Sequence, residues 1–324
     1  MEKSRYNDIT SQFHKKTVLV IGDLMLDKYL WGHADRISPE APVPIVEVSN
    51  IDFRPGGAAN VALNLSSLGC NVIIIGVVGS DSDGGNLLNL LKKYKIDCSK
   101  IVISDDRHTT VKTRIMSQDQ QVIRADYEVK TPLSDRLLKK LYQSLELLIN
   151  NVDALILQDY NKGVFNIANI PEIIDLANSA CKPIYVDPKN SNFKSFKNVR
   201  LFKPNLIEFF EGFDSNQSSI KNDGFQLKEE LNADMVFITQ GSDGASLFES
   251  SEYHHIPTKA RKVHDVSGAG DTVISIFALS DLCDANPKEA AVLSNYAAGR
   301  VCEEVGVVPI TLNMLNEIVE NYRD

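Results

Sequence analysis

The sequence lacks any long hydrophobic run. Its apolar stretches, such as residues 72–78 with Gly76 inside them, fall far short of the roughly 20 residues a membrane-spanning helix needs. Residues 1–16 are polar and mixed in charge, without the apolar segment of a secretory signal. Cysteine is scarce and scattered. Cys70, Cys98, Cys181, Cys283 and Cys302 form no C-x-x-C pair and no metal-type spacing, and the odd count suits reduced thiols. Positive charge is also short: 34 Lys and Arg against 43 Asp and Glu give a formal net charge of −9, which disfavours nucleic acid and anionic membranes as partners. Any anionic ligand must then be held by a local cluster of cations. No repeat, low-complexity tract or linker interrupts the chain. With 43% hydrophobic and 24% charged residues among 324, the expectation is an ordinary globular, cytoplasmic protein that acts on small molecules.

Short β-type runs at residues 17–21, 72–78, 154–157, 183–186, 201–203 and 235–239 alternate with helical patterns at 59–68, 85–94, 133–150, 170–179, 225–231, 271–283, 287–304 and 311–322. Such alternation predicts a mainly parallel sheet covered by helices on both faces, with ligands at the carboxyl ends of the strands. Asp23, Asp159, Asp187, Asn205 and Gly241 all follow strand candidates closely. Two stretches, about 28–50 and 107–126, have β-formers and alternation without helices between them. They are expected to pair as a small separate sheet, a lid that excludes water from the strand ends.

The chemistry concentrates in a few motifs. In Asp265-Val266-Ser267-Gly268-Ala269-Gly270-Asp271, the two glycines let backbone N–H groups approach a phosphate, and the helix that follows adds its positive end. Asp271 is placed to take a proton from a hydroxyl; a glycine loop with a capping Asp would look the same when isolated. Pro55-Gly56-Gly57-Ala58-Ala59-Asn60 opens another helix, where Asn60 can both donate to and accept from a sugar. Asp23 and Asp27 suit polyol hydroxyls, or cap turns. Asn205 and Glu208 lie one helical turn apart, and Glu208 could hold Mg²⁺ through its waters, as a helix cap could equally explain the pair. Thr239-Gln240-Gly241-Ser242-Asp243-Gly244 ends a strand in a turn able to underlie a nucleotide. Residues 79–84 have P-loop glycine spacing, but Gly85 and Asn86 stand where Lys and Ser/Thr are required, which excludes a Walker-type site. A dinucleotide fingerprint is missing after the first strand.

Taken together, from about Thr17 onward, these motifs resemble the ribokinase-like (pfkB) family of sugar kinases. Gly22-Asp23-Leu24-Met25-Leu26-Asp27, Arg36-Ile37-Ser38-Pro39-Glu40-Ala41-Pro42-Val43-Pro44, the Gly56-Gly57 turn and Asp159-Tyr160-Asn161-Lys162-Gly163 look like the D-glycero-β-D-manno-heptose-7-phosphate kinases of lipopolysaccharide-core synthesis. The resemblance implies a three-layer α/β/α domain with a small β lid, and transfer of the ATP γ-phosphate to the anomeric hydroxyl of the heptose phosphate on the route to ADP-heptose. It implies Asp271 as general base and Gly268, Ala269 and Gly270 as an anion hole. Asp23, Asp27, Gly56, Gly57 and Asn60 would hold the sugar. Lys189, Asn205, Glu208, Thr239, Gly241 and Gly244 would surround ATP and Mg²⁺, with Asn295 flanking adenine. Asp265 and Ser267 match the positions of a monovalent cation, K⁺, used by family members. For the sugar's own phosphate the candidate cations are Arg36, Lys112, Arg114, Arg124 and Lys162.

The chain departs from its relatives at Asn190 and Gln240, and none of its six histidines forms the H-x-G-H pattern of a nucleotidyltransferase. The expectation is one kinase domain over residues 1–324, with lids pairing two chains into a homodimer. Two rivals stay open: a kinase of the same family acting on another phosphosugar, and a non-catalytic sugar or nucleotide sensor on the same fold.

Overall fold

The computed structural model describes residues 2–118, 120–213, 219–259 and 263–321. In chain order the elements are α1 (Lys3–Thr10), β1 (Thr17–Gly22), β2 (Leu24–Ile37), β3 (Pro44–Gly57), α2 (Ala58–Ser67), β4 (Asn71–Gly79), α3 (Ser82–Lys93), β5 (Asp97–Ser104), β6 (Thr110–Ser117) and β7 (Gln120–Tyr127). The second half holds α4 (Asp135–Leu148), β8 (Ala154–Gln158), α5 (Asn169–Ser179), β9 (Ile184–Asp187), β10 (Leu201–Phe202), α6 (Leu206–Phe213), α7 (Ile220–Leu231), β11 (Met235–Thr239), β12 (Ala245–Glu249), β13 (Glu252–Ile256), α8 (Ala269–Asp281), α9 (Pro287–Val301) and α10 (Leu312–Asn321).

Nine strands form the main sheet in the order β13-β12-β11-β10-β9-β8-β1-β4-β5. Every pair from β11 to β5 is parallel, and the β12–β13 hairpin adds an antiparallel edge. Because side chains alternate along a strand, Val18 and Val20 of β1 enter one core with α1, α2, α8 and α9, while Leu19 and Ile21 enter the other with α4 and α5. The result is the expected three-layer architecture. The parallel strands place Asp23, Gln158, Asp187, Lys203 and Thr239 at one end of the sheet, and an isolated parallel bridge joins Asn205 to Thr239.

Local chemistry sets several boundaries. Asn286 and Glu289 form a reciprocal capping box with Pro287 at the start of α9, and the Asp81 carboxylate accepts from the Gly84 amide at 2.7 Å to start α3. Phe277 of α8 is fully buried against Phe237 of β11, with ring centroids 5.4 Å apart, a contact whose truncation to alanine costs about 3–5 kcal/mol.

The four lid strands run in the order β3-β2-β6-β7. They exceed the expected segments: β2 begins at Leu24, β3 continues to Gly57, and β7 ends at Tyr127, while Asp119 within the second segment lies outside the described residues. The extension arises because β2 leaves directly from the end of β1 and stays buried as far as Asp27, with Leu24 and Leu26 inside the main core. Five further elements were not expected, among them the β12–β13 hairpin. The mostly polar α1 buries only Tyr6 and Ile9, β5 is a half-exposed edge strand, and α6 follows from the Asn205 cap. The last helix reaches Asn321; its expected end at residue 322 lies outside the described residues.

Candidate active site

Gly268 caps α8 at φ 81°, a left-handed conformation favourable to glycine, and a Cβ there would lie 2.8 Å from Asn60 Nδ2. The turn thereby delivers Asp271 into the body, where it is 3% exposed. Three donors hold its carboxylate: Asn60 Nδ2 at 2.7 Å to Oδ2, and Tyr160 Oη at 2.8 Å and Gln158 Nε2 at 3.1 Å to Oδ1. Burial pushes this carboxyl up to about 7; Asp187 adds to the rise, and Asn60, Tyr160 and Lys203 oppose it. A carboxylate so poised takes a proton readily near neutral pH. Of the three amides expected to form an anion hole, one is engaged within the fold. The Ala269 amide is taken by the Val266 carbonyl at 3.2 Å, whereas those of Gly268, Gly270 and Asp271 donate to no acceptor among the described residues, which suits an incoming phosphate.

Behind the turn lies a buried ion pair. Lys203, 2% exposed, sits 3.0 Å from Asp187 Oδ2, and a Cβ on Gly270 would lie 3.5 Å from its Nζ. Gln158 Nε2 donates to the same Asp187 oxygen at 3.0 Å. Beside it, Lys189 pairs with Glu208. Burial alone would lower the Lys189 ammonium, but Asp187, Glu208 and Asp271 outweigh it and raise it. Asn205 and Glu208 cap α6 reciprocally, at 2.8 and 2.9 Å, so both Glu208 oxygens are engaged and a metal could share this carboxylate only through its waters. Thr239 abuts Asn205 through the strand bridge. Gly241 lies exposed in the turn after β11, Gly244 is buried at its end, and Asn295 Nδ2 donates to the Pro257 carbonyl at 3.1 Å, next to Gly244. All the expected nucleotide residues thus line one side of the sheet's end.

The expected sugar residues divide. Asn60 acts on Asp271, as described. Asp23 is engaged by three backbone amides, those of Tyr160, Lys162 and Val164 at 2.8, 3.0 and 3.2 Å; this buried carboxylate organises the loop after β8. Asp27 accepts from Arg114 Nη1 at 2.5 Å in a buried ion pair, with the Gly56 and Gly57 backbone packed beside it and beside Asp23. Lys112, directly opposite Asp27 in the β2–β6 register, reaches the Tyr160 ring at 5.3 Å, and Lys189 approaches that ring at the same distance. Burial lowers the Lys112 ammonium. Lys162 pairs with Glu128 at 2.8 Å.

The other two lid cations are exposed. Arg124 folds back on Asp126 along the exposed strand β7. Arg36 stands nine residues beyond Asp27 on β2, about 30 Å along an extended strand, in an exposed ion pair with Glu47 at 3.0 Å. Its place at the distal lid tip removes Arg36 from the cluster around Asp271 within this chain. Asp265 accepts from the Ser267 amide at 2.8 Å just before the glycine turn.

Gln158, Tyr160 and Lys203 were missed as site residues. Their shared sequence signal is position, since each follows or ends a parallel strand, and Tyr160 also lies within the Asp159-to-Gly163 motif. Arg54 was also overlooked. It donates to the Val305 and Val307 carbonyls at 3.2 and 3.0 Å and lies over Tyr29, fastening the lid base to the segment before α10.

The family described as pfkB family carbohydrate kinase matches residues 15–312. The bifunctional protein HldE of Helicobacter acinonychis (strain Sheeba) is 42% identical over 296 residues, covering 90% of this chain and 64% of that protein. Its namesake in Proteus mirabilis (strain HI4320) is 40% identical over 316 residues, with 96% and 65% covered. The chain therefore spans less than two thirds of the length of these relatives. Among solved structures, phosphofructokinase-2 from Escherichia coli in complex with potassium superposes with a TM-score of 0.77 at 16% identity, covering 94% of this chain and 98% of that one. Ribokinase from Thermotoga maritima gives 0.73 at 19%, covering 94% and 100%. At these identities the likeness establishes the fold alone.

Proposed function

The chain belongs to the pfkB family of carbohydrate kinases, and from that premise we propose that it phosphorylates the anomeric hydroxyl of D-glycero-β-D-manno-heptose 7-phosphate with ATP. The observation that carries the reaction is the buried, three-donor Asp271 at the end of a glycine turn with free amides. The sugar oxygen attacks the γ-phosphorus, the bond to ADP breaks, and the hydroxyl proton passes to Asp271. Amides at the start of α8 face the developing charge, and Lys203 lies beneath them. Lys189, after β9, and Lys112, on the lid strand β6, each lie 5.3 Å from the Tyr160 ring centroid, and Lys189 is assigned to the nucleotide. Lys112, with Lys162 and Arg124, is assigned to the sugar's phosphate.

The choice of heptose 7-phosphate rests on the Arg36-to-Pro44 and Asp159-to-Gly163 motifs and on similarity to the HldE proteins. Mg²⁺ is assigned to the water-mediated reach of Glu208, where it would neutralise phosphate charge. K⁺ is assigned to the Asp265 and Ser267 segment. Homodimerisation is assigned to the lid, where Ile37, Val43, Ile51, Ile123 and Tyr127 are exposed. No helix among the described residues is long and apolar enough to cross a membrane; a cytoplasmic location and a kinase domain over residues 1–324 complete the proposal.

The test is ADP release with ATP and Mg²⁺ against heptose 7-phosphate, sedoheptulose 7-phosphate, fructose 6-phosphate, ribose and buffer. Preference for the heptose supports the whole reading. Preference for another sugar moves the specificity while keeping the chemistry, and turnover no greater than in buffer removes both.

A further inference from the structure

We infer that Gln158 is a positioning residue for phosphoryl transfer: its side-chain amide holds Asp271 and Asp187 together, tying the proton acceptor to the buried Asp187–Lys203 pair beneath the glycine turn. This rests on Asp271 being that acceptor.

The geometry is specific to an amide. Nε2 lies 3.1 Å from Asp271 Oδ1 and 3.0 Å from Asp187 Oδ2, and an amide nitrogen has two hydrogens, one for each carboxylate. The opposite orientation would set the carbonyl oxygen against two carboxylates. In the orientation adopted, Oε1 is buried and finds no donor among the described residues, a loss for the side chain itself. The stem is fixed as well, because a Cβ on Gly22 of β1 would lie 3.0 Å from the Gln158 Cβ. Asp271 is also faced by Asn60 from α2, Tyr160 from the loop after β8, Asp187 from β9, Lys203 after β10, and Lys189. Of these, Asp187 opposes a charge on Asp271 and Lys203 favours it. The amide lies between the two carboxylates and lets both occupy one small, dry volume.

Methionine keeps the length and volume of Gln158 but donates nothing. Melting temperatures of wild type, Gln158→Met, Asp271→Asn and the double variant, at about pH 5.5 and about pH 8.5, separate positioning from packing. The expected result is a larger loss for Gln158→Met at the higher pH, where Asp271 is charged, and no such difference in the Asp271→Asn background. In kinase assays the acid limb of kcat/KM moves up by about one pH unit, a loss of about tenfold below the limb. Gln158→Glu, which sets a third carboxylate in the same place, moves the limb the same way and serves if the methionine variant does not fold. Equal melting losses at both pH values with an unmoved limb overturn the inference. So does a pH-dependent loss that persists without Asp271, which would assign the effect to Asp187. If wild type phosphorylates no sugar, the proposed function fails, and the melting comparison still decides the role of Gln158.

Discussion

The strand-end cluster around Asp271 and the outer lid contain the same kinds of group, carboxylates with cations, under opposite conditions. Lys203–Asp187 and Arg114–Asp27 are buried pairs, whereas Arg36–Glu47 and Arg124–Asp126 are largely open to solvent. A buried pair is costly to break because the survivor is left charged in a poorly solvated place; an exposed pair is screened and contributes little. The inner cluster is therefore preorganised before any ligand arrives. The outer lid holds its cations loosely, in pairs that solvent screens.

The sharpest way to break this contrast is Asp271→Asn. The substitution should lower kcat by about 10²–10⁴-fold while the protein still folds, as read by steady-state kinetics and circular dichroism. Next in size is Arg114→Ala, which strands Asp27 and should cost about 3–5 kcal/mol in denaturant unfolding. If Arg114→Ala were as mild as a surface change, the lid base would belong with the tip, and the line between the two regions would need redrawing.

The pH dependence comes next. Burial raises the Asp271 carboxyl from 3.8 to about 7, so kcat/KM should fall about tenfold per unit below that value as the base becomes protonated. Stability follows the opposite sign. The folded state binds this proton more tightly than the unfolded chain, so the contribution is present below the ordinary carboxyl range and is lost as pH rises through about 7. Melting of wild type at pH 5 and pH 8, against Asp271→Asn, checks both signs. The smallest effect is expected for Arg36→Ala, within about 0.5 kcal/mol of wild type in stability. A marked rise in its KM for the phosphosugar would mean that a partner chain's lid tip reaches the site.

Much of the site was legible. The order of Gly56-Gly57, Asn205 with Glu208, Thr239 to Gly244, and Asp265 to Asp271 anticipated which loops would gather at the strand ends, because parallel β-strands all finish on one edge. The roles within that gathering were harder to read. Asn60 and Asp23 have chemistry suited to sugar hydroxyls, yet one holds Asp271 and the other caps the loop after β8. Spacing along the chain cannot reveal whether a polar group is already engaged by the fold. Gln158 and Lys203 were passed over for the same reason, since their partners lie on other strands.

The sequence by itself determined the alternation of strands and helices, the glycine turn before α8 and the supply of donors near each strand end, because these depend on local periodicity and on backbone freedom. Only the tertiary structure decided which carboxylates are sealed from water and which cations answer them. Burial and distance set the strength of those interactions, and both arise when segments far apart in the chain, such as Asn60, Gln158 and Asp271, meet at one edge of the sheet.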